Sequence, residues 1–427
     1  MSDVSHLSIP HRDAAADLDA ADPLRHFRDR FCIPRGADGR ELIYLCGNSL
    51  GLQPRATRDL VSAELDDWAG LAVEAHFHGR RPWYRYHEQL REPGARLVGA
   101  RPREVVFMNG TTVNLHLMMA SFYRPTPQRH RILIEDCAFP SDTYAVRSQI
   151  RHHGLDPAAA LLVARPRPGE QTLRTDDLLD LIAREGPRLA LVMLPGVQYF
   201  TGQVLDLARL TAAAHAVGAV AGFDLAHAAG NVPLALHDWN VDFAVWCGYK
   251  YLNAGPGAVA GCFVHERHVR DTSLPRLGGW WGNDPETRFR MHLEPEFLPV
   301  ASADAWQLSN PPILSMAPLI ASLELFDMAG MPALRDKSLR LTGCLLQLLD
   351  RLPAQRCEII TPRAAAERGC QLSIRVHDRP RELFQSLTAA GLVCDFREPD
   401  VVRVAPVPLY NRFVEMWDFA AILARDA

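Results

Sequence analysis

The chain has 427 residues, 48% hydrophobic and 22% charged, with a net charge of −4. That describes a globular chain long enough for a large domain plus a smaller one, and it excludes extended disorder and the basic surface that nucleic acid requires. Nine cysteines stand singly without a C-x-x-C pair, no stretch approaches the roughly 20 apolar residues of a membrane helix, and the first residues lack a signal peptide's pattern, so a reduced, cytoplasmic, membrane-free setting is expected.

Residues 1–40 are polar and mixed, with short helices predicted near 13–19 and 23–27. A short strand at 43–46 enters the turn Gly47-Asn-Ser-Leu-Gly51, whose glycines would let backbone approach a ligand. A helix follows over 55–68, then a loop over 76–83. His76 and His78 alternate there without the full ligand set that a metal needs, so no metal site is expected. Residues 105–116 read as a strand passing through Gly110-Thr-Thr112 into a helix. Thr111 and Thr112 suit an anion at a helix N-terminus, and a plain helix cap would explain them equally.

From here strands and helices alternate: strands at 131–135, 160–163 and 189–194, helices at 139–153, 175–184 and 206–217, then a buried strand closing on Asp224. The apolar run 241–252 reads as the next strand and ends on Lys250. Such alternation predicts βαβ units and a mostly parallel sheet, placed in a large domain over 60–310. Residues 1–60 would form an N-terminal segment. Residues 311–427, with helices broken at Gly330-Met-Pro332 and strands at 357–361, 371–376 and 401–404, would form a small α+β domain.

Lys250 is costly at the end of a buried run unless paired or neutralised. It reads either as a strand-end lysine reaching solvent or as a desolvated amine able to form a Schiff base. Asp224 at the carboxyl end of the preceding strand shares the rim where open α/β sheets bind ligands. Pyridoxal phosphate requires this pair, a lysine for its aldehyde and a carboxylate to keep its ring nitrogen protonated.

Six ordered blocks then carry a resemblance: Tyr44-Leu-Cys-Gly-Asn-Ser-Leu-Gly51, Phe139-Pro-Ser-Asp142, Gly222-Phe-Asp-Leu-Ala-His227, Cys247-Gly-Tyr-Lys-Tyr-Leu-Asn-Ala-Gly-Pro-Gly257, Ser309-Asn-Pro-Pro-Ile-Leu314 and Arg403-Val-Ala-Pro-Val-Pro-Leu-Tyr-Asn411. Spanning residues 44–411, the set resembles the kynureninase family. The resemblance implies the α/β fold of the aspartate-aminotransferase type and a homodimer with interfacial active sites. It also implies pyridoxal-phosphate-dependent hydrolysis of L-kynurenine, or its 3-hydroxylated form, to anthranilate and L-alanine.

Carried over by position, Lys250 and Asp224 would hold the cofactor's aldehyde and ring nitrogen. Phe139 would stack on the ring beside Ser141 and Asp142, and Thr111, Thr112, Tyr249 and His227 would surround the phosphate and cofactor. Trp280 and Asn310 would come from the neighbouring subunit. Arg403 would hold the substrate carboxylate, His76 and Asn310 would lie near its aromatic ring, and Asn48 and Ser49 beside it. Some readings stay open. Tyr249 could donate a proton or simply bond phosphate, His227 could be a satisfied core histidine, and Arg403 could be an ordinary strand arginine. Pro195 departs from the pattern, because some family members carry a cofactor-contacting serine there and proline offers neither hydroxyl nor N–H. The alternatives are a cysteine desulfurase-like lyase, which needs a mobile catalytic cysteine where Cys344, Cys357, Cys370 and Cys394 fall in helix or strand contexts, and a non-catalytic relative that keeps the fold for binding.

Overall fold

The computed structural model describes residues 11–271, 273–353 and 355–425, so the first ten residues of the expected N-terminal segment lie outside it. Strand β1 (Ile43–Tyr44) follows the helix Arg12–Ala20 and a 3-10 turn at Arg25–Arg30. The central sheet holds β2 (Val105–Met108), β3 (Arg131–Glu135), β4 (Leu161–Ala164), β5 (Leu189–Pro195), β6 (Val220–Asp224), β7 (Phe243–Trp246) and β8 (Ala260–Val264). Its spatial order is β2-β8-β7-β6-β5-β3-β4. Every pairing is parallel except the two that β8 makes, with β2 and β7. The strands are short Val/Ile/Leu/Phe-rich runs because helices cover both faces, and two apolar cores form, one on each side.

The alternation expected from the sequence is present, with helices Pro140–His152, Thr175–Glu185 and Leu207–Ala216 between strands. Local chemistry sets the boundaries. Asp206 accepts the Arg209 amide at 3.1 Å as an N-cap, and Gly218 ends that helix at φ +73°.

Three departures stand out. The run 241–252 is a strand only to Trp246, and Lys250 lies in the turn beyond it, because the chain folds back on itself. Ala254 donates to the Gly248 carbonyl at 3.0 Å, and a Cβ at Gly248 would sit 2.3 Å from the Val259 carbonyl oxygen. That reversal creates β8, which the sequence reading missed. The stretch 76–83, read as loop, begins with a helical turn, Ala75–His78, and leads into a 3-10 helix, Trp83–Leu90.

The C-terminal part is the expected smaller α+β unit. Strands β9 (Cys357–Ile359), β10 (Leu372–Val376), β11 (Leu392–Val393), β12 (Asp395–Arg397) and β13 (Val401–Val404) follow the helices Ile313–Ala329 and Met331–Leu349. Four of them form an antiparallel sheet in the order β12-β13-β10-β9. β11 instead pairs in parallel with β1, and Cys46 bridges to Ala405, so the N-terminal segment is woven into this unit. The buried Lys337 ammonium, 2.7 Å from Asp22, ties the same segment to helix Met331–Leu349. Helices Pro380–Ala389 and Phe413–Arg425 complete the unit, the latter unforeseen, around a third apolar core.

Candidate active site

The parallel strands end on a single rim, where Glu135 closes β3, Pro195 closes β5 and Asp224 closes β6. Lys250 reaches the same rim four residues after β7, and Phe139 and Asp142 come from the start of helix Pro140–His152. These residues, with Tyr199 and His227, line one cavity. The Lys250 Nζ lies 5.5 Å from the Phe139 ring centroid and 5.9 Å from that of Tyr249. Asp224 accepts the Ala226 amide at 2.7 Å, which fixes one carboxylate oxygen.

Charge in this cavity is lopsided. Burial and the negative charge and hydrogen bond of Asp224 push the Asp142 carboxyl well above its ordinary range, although Lys250 pulls the other way. Burial likewise raises Glu135, whose Oε2 has no hydrogen-bond partner. Burial, with Lys250, Arg403 and Arg397, drives the His227 imidazole well below its usual value, so the ring is neutral, and its Nδ1 is buried without a partner. Three carboxyls thus face one lysine and a neutral imidazole.

At the other end, helix Thr111–Phe122 starts after Gly110 with no side chain capping it. The Thr112 and Ser141 hydroxyls stand 2.8 Å apart in the open, and the Thr111 hydroxyl meets Cys247 Sγ at 3.0 Å. Tyr249 bonds the same thiol, and burial followed by Cys247 raises its phenol.

The small unit contributes Arg403 from β13. It is 1% exposed, its Nε and NH2 donate to Asp395, and its NH1 donates to the Tyr199 carbonyl. Gln371 was missed from sequence, yet it joins three parts of the site. It accepts from Asn48 at 3.0 Å, bonds His227 and donates to the Tyr199 carbonyl at 2.9 Å. Tyr199, also missed, packs edge-on against Phe139, centroids 5.2 Å apart and planes at 82°. Asn48 is therefore buried against Gln371, whereas Ser49 is exposed. No local sequence signal marks Gln371 or Tyr199, because each acts through partners distant in the chain.

Three expected residues lie away from the Lys250 cavity. His76 and Asn310 border a separate groove of about 380 Å³ together with Trp68 and Trp83. Trp280 is half-buried edge-on to Trp281. Of the late cysteines, Cys344, Cys370 and Cys394 are buried and Cys357 belongs to β9.

These residues fit pyridoxal phosphate. The carboxyl cluster calls for a cationic partner such as a protonated ring nitrogen, the flat side of Phe139 offers a stacking face, and the uncapped helix N-terminus with the exposed Thr112–Ser141 hydroxyl pair suits a phosphate. Pro195, at the end of β5, pairs with Asp224 in the sheet register and supplies apolar wall alone.

Residues 334–423 match the family model described as the kynureninase C-terminal domain. The kynureninase of Myxococcus xanthus is 58% identical over 413 residues, covering 97% of this chain and 96% of the relative. That of Koribacter versatilis is 57% identical over 405 residues, covering 95% of each. Among solved structures, the cysteine desulfurase CsdA of Escherichia coli superposes with a TM-score of 0.76 at 19% identity, covering 94% of this chain and 98% of its own. A C-DES variant with glycine covalently linked to its PLP cofactor gives 0.76 at 19% identity, covering 90% and 96%. At such identity the structural likeness speaks for the fold alone.

Proposed function

Since the chain belongs to the kynureninase family, we propose that the cavity beneath Phe139 is where it works, with the roles that follow. The protein is a pyridoxal-phosphate-dependent hydrolase that cleaves the Cβ–Cγ bond of L-kynurenine, or its 3-hydroxylated form, giving anthranilate or 3-hydroxyanthranilate and L-alanine. The bound cofactor supplies an aldehyde for the substrate's amine and a protonated ring that stores electron pairs.

Lys250 holds the aldehyde at rest, and its amine, once released, removes the proton at Cα. Asp224, hydrogen-bonded to a protonated Asp142, keeps the ring nitrogen's proton in place. Phe139 and His227 hold the ring plane, and Thr111, Thr112 and Ser141 take the phosphate with the helix N-terminus behind them. Tyr249, beside the lysine, returns a proton after water has added to the γ-carbonyl and the Cβ–Cγ bond has broken, with the water's oxygen leaving in the aromatic acid. Arg403 clamps the α-carboxylate, with Asn48 and Ser49 at the same mouth.

His76, Asn310 and Trp280 serve the neighbouring subunit's cavity in a cytoplasmic homodimer. What supports this part is the exposed aromatic surface around the second groove, where Trp68 is 59% and Phe77 49% exposed. Domain limits of 1–60, 60–310 and 311–427 belong to the same reading.

The observation that carries the reading is that Lys250, Asp224 and the Phe139–Asp142 helix start converge on one cavity from three separate elements. Its test is anthranilate release from L-kynurenine by the purified protein with pyridoxal phosphate, beside Lys250→Ala. Product from wild type alone, together with loss of the lysine-linked absorbance in the variant, is expected. Equal turnover by both would remove Lys250 from the chemistry. Mixing Lys250→Ala with Asn310→Ala and recovering activity that neither has alone tests the shared site, and no recovery refutes it.

A further inference from the structure

Arg403 carries five N–H groups on a planar fork, and almost nothing of it reaches solvent. Three are engaged, Nε and NH2 with a single oxygen of Asp395 and NH1 with the Tyr199 carbonyl. One N–H on each terminal nitrogen is left over. Asp395 stands directly opposite Arg403 across the β12–β13 pair, so backbone register brings the two side chains together. The same Asp395 oxygen accepts from Arg397 Nε at 2.9 Å, and the Arg397 and Arg403 guanidiniums lie 5.9 Å and 5.8 Å from the Tyr199 ring centroid.

We propose that Asp395 is a positioning residue for substrate recognition: it grips the Nε side of Arg403 so that the terminal N–H pair is presented to the α-carboxylate of an amino-acid ligand, while Arg397 shares its charge. This rests on the reading of Arg403 as the carboxylate clamp. A long arginine otherwise samples many rotamers, and a buried guanidinium without a partner is costly. Asp395 removes both problems and leaves one N–H on each terminal nitrogen for a carboxylate. Sharing its oxygen with Arg397 keeps Asp395 from neutralising Arg403 fully, so the clamp retains attraction for an incoming anion.

The test uses the holoenzyme and three variants, Asp395→Asn, Arg403→Leu and the double substitution. KM and kcat for L-kynurenine are measured, together with spectroscopic dissociation constants for L-alanine and for the decarboxylated amine of kynurenine. Asp395→Asn is expected to raise KM about tenfold with kcat within about twofold, to weaken L-alanine in step, and to leave the carboxylate-free amine unchanged. In the Arg403→Leu background the same substitution adds nothing further. Equal weakening of both ligands, an unchanged KM, or an independent effect in the Arg403→Leu background overturns the proposal. If Arg403→Leu itself leaves KM unchanged, the clamp reading beneath it falls instead. Should Asp395→Asn not fold, Asp395→Glu, which keeps the charge but shifts it by a methylene, must show the same split between ligands.

Discussion

The Gly51 amide donates to the Tyr249 carbonyl at 2.8 Å, so the N-terminal turn is pinned to the peptide just before Lys250. A Cβ on Gly51 would lie 2.3 Å from the Lys250 carbonyl oxygen and 2.3 Å from the Asn253 side-chain oxygen. Gly51 serves a close approach of backbone to backbone at the lysine, whereas Gly47 makes room for the Tyr410 and Val407 side chains.

Gly51→Ala must therefore move the lysine's own backbone. We expect a folded protein whose kcat falls at least tenfold, because displacements well under an ångström at a reacting group are felt strongly. Circular dichroism and steady-state rates check this, and unchanged kcat would mean that the lysine segment yields without consequence.

Asp224→Asn keeps the shape of the side chain and removes its charge, leaving Asp142 as the remaining acid beside the ring-nitrogen position. With the like charge gone, Asp142 is expected to titrate lower. Cofactor affinity and turnover fall together, by at least a hundredfold in kcat, while Asp142→Asn costs less. Equal losses for the two variants would remove the distinction between the carboxylates.

Acid should weaken the fold through His87. Burial, followed by Arg91 and Arg288, pushes its imidazole down to about 3. The unfolded chain takes up a proton near pH 6.5 that the native ring refuses, so this group's stability contribution is full above pH 6.5 and is lost as pH falls toward 3, at about 1.4 kcal/mol per pH unit. His87→Gln should reduce the slope of unfolding free energy between pH 6.5 and 5 by one proton's worth, measured by urea titration at several pH values. An unchanged slope would place the acid sensitivity on other histidines.

Lys337 and Asp22 form a pair 4% and 2% exposed. Lys337→Met leaves a carboxylate buried alone and is expected to cost about 3–5 kcal/mol in unfolding free energy. Replacing both partners with apolar residues should recover much of that loss. A single variant as stable as wild type would mean that water or another cation reaches Asp22.

Asp224 and Lys250 were legible from sequence because each ends an apolar segment that cannot hold an unpaired charge cheaply, and the strand–helix alternation fixed which edge they share. Strand β8 was not legible. Glycines at 255, 257 and 261 look like loop punctuation, yet Gly261 is there so that the Trp246 ring can cross the strand, since a Cβ would lie 2.0 Å from it. Gln371, Tyr199 and Asp395 carry no local signal, because their roles depend on partners such as Asn48, 323 residues away from Gln371. The register that sets Asp395 opposite Arg403 follows from the pairing of two very short strands, which periodicity cannot resolve.

The pairing of β1 with β11, Ile43 opposite Leu392, has a bearing on synthesis. A ribosome delivers residues 43–51 about 350 residues before their strand partner exists, and closing so long a loop is slow. Until then the turn that will pin Lys250 has no sheet to join. Cofactor capture should accordingly be a late event, following release of the finished chain, and nascent chains truncated before residue 392 should leave pyridoxal phosphate in solution.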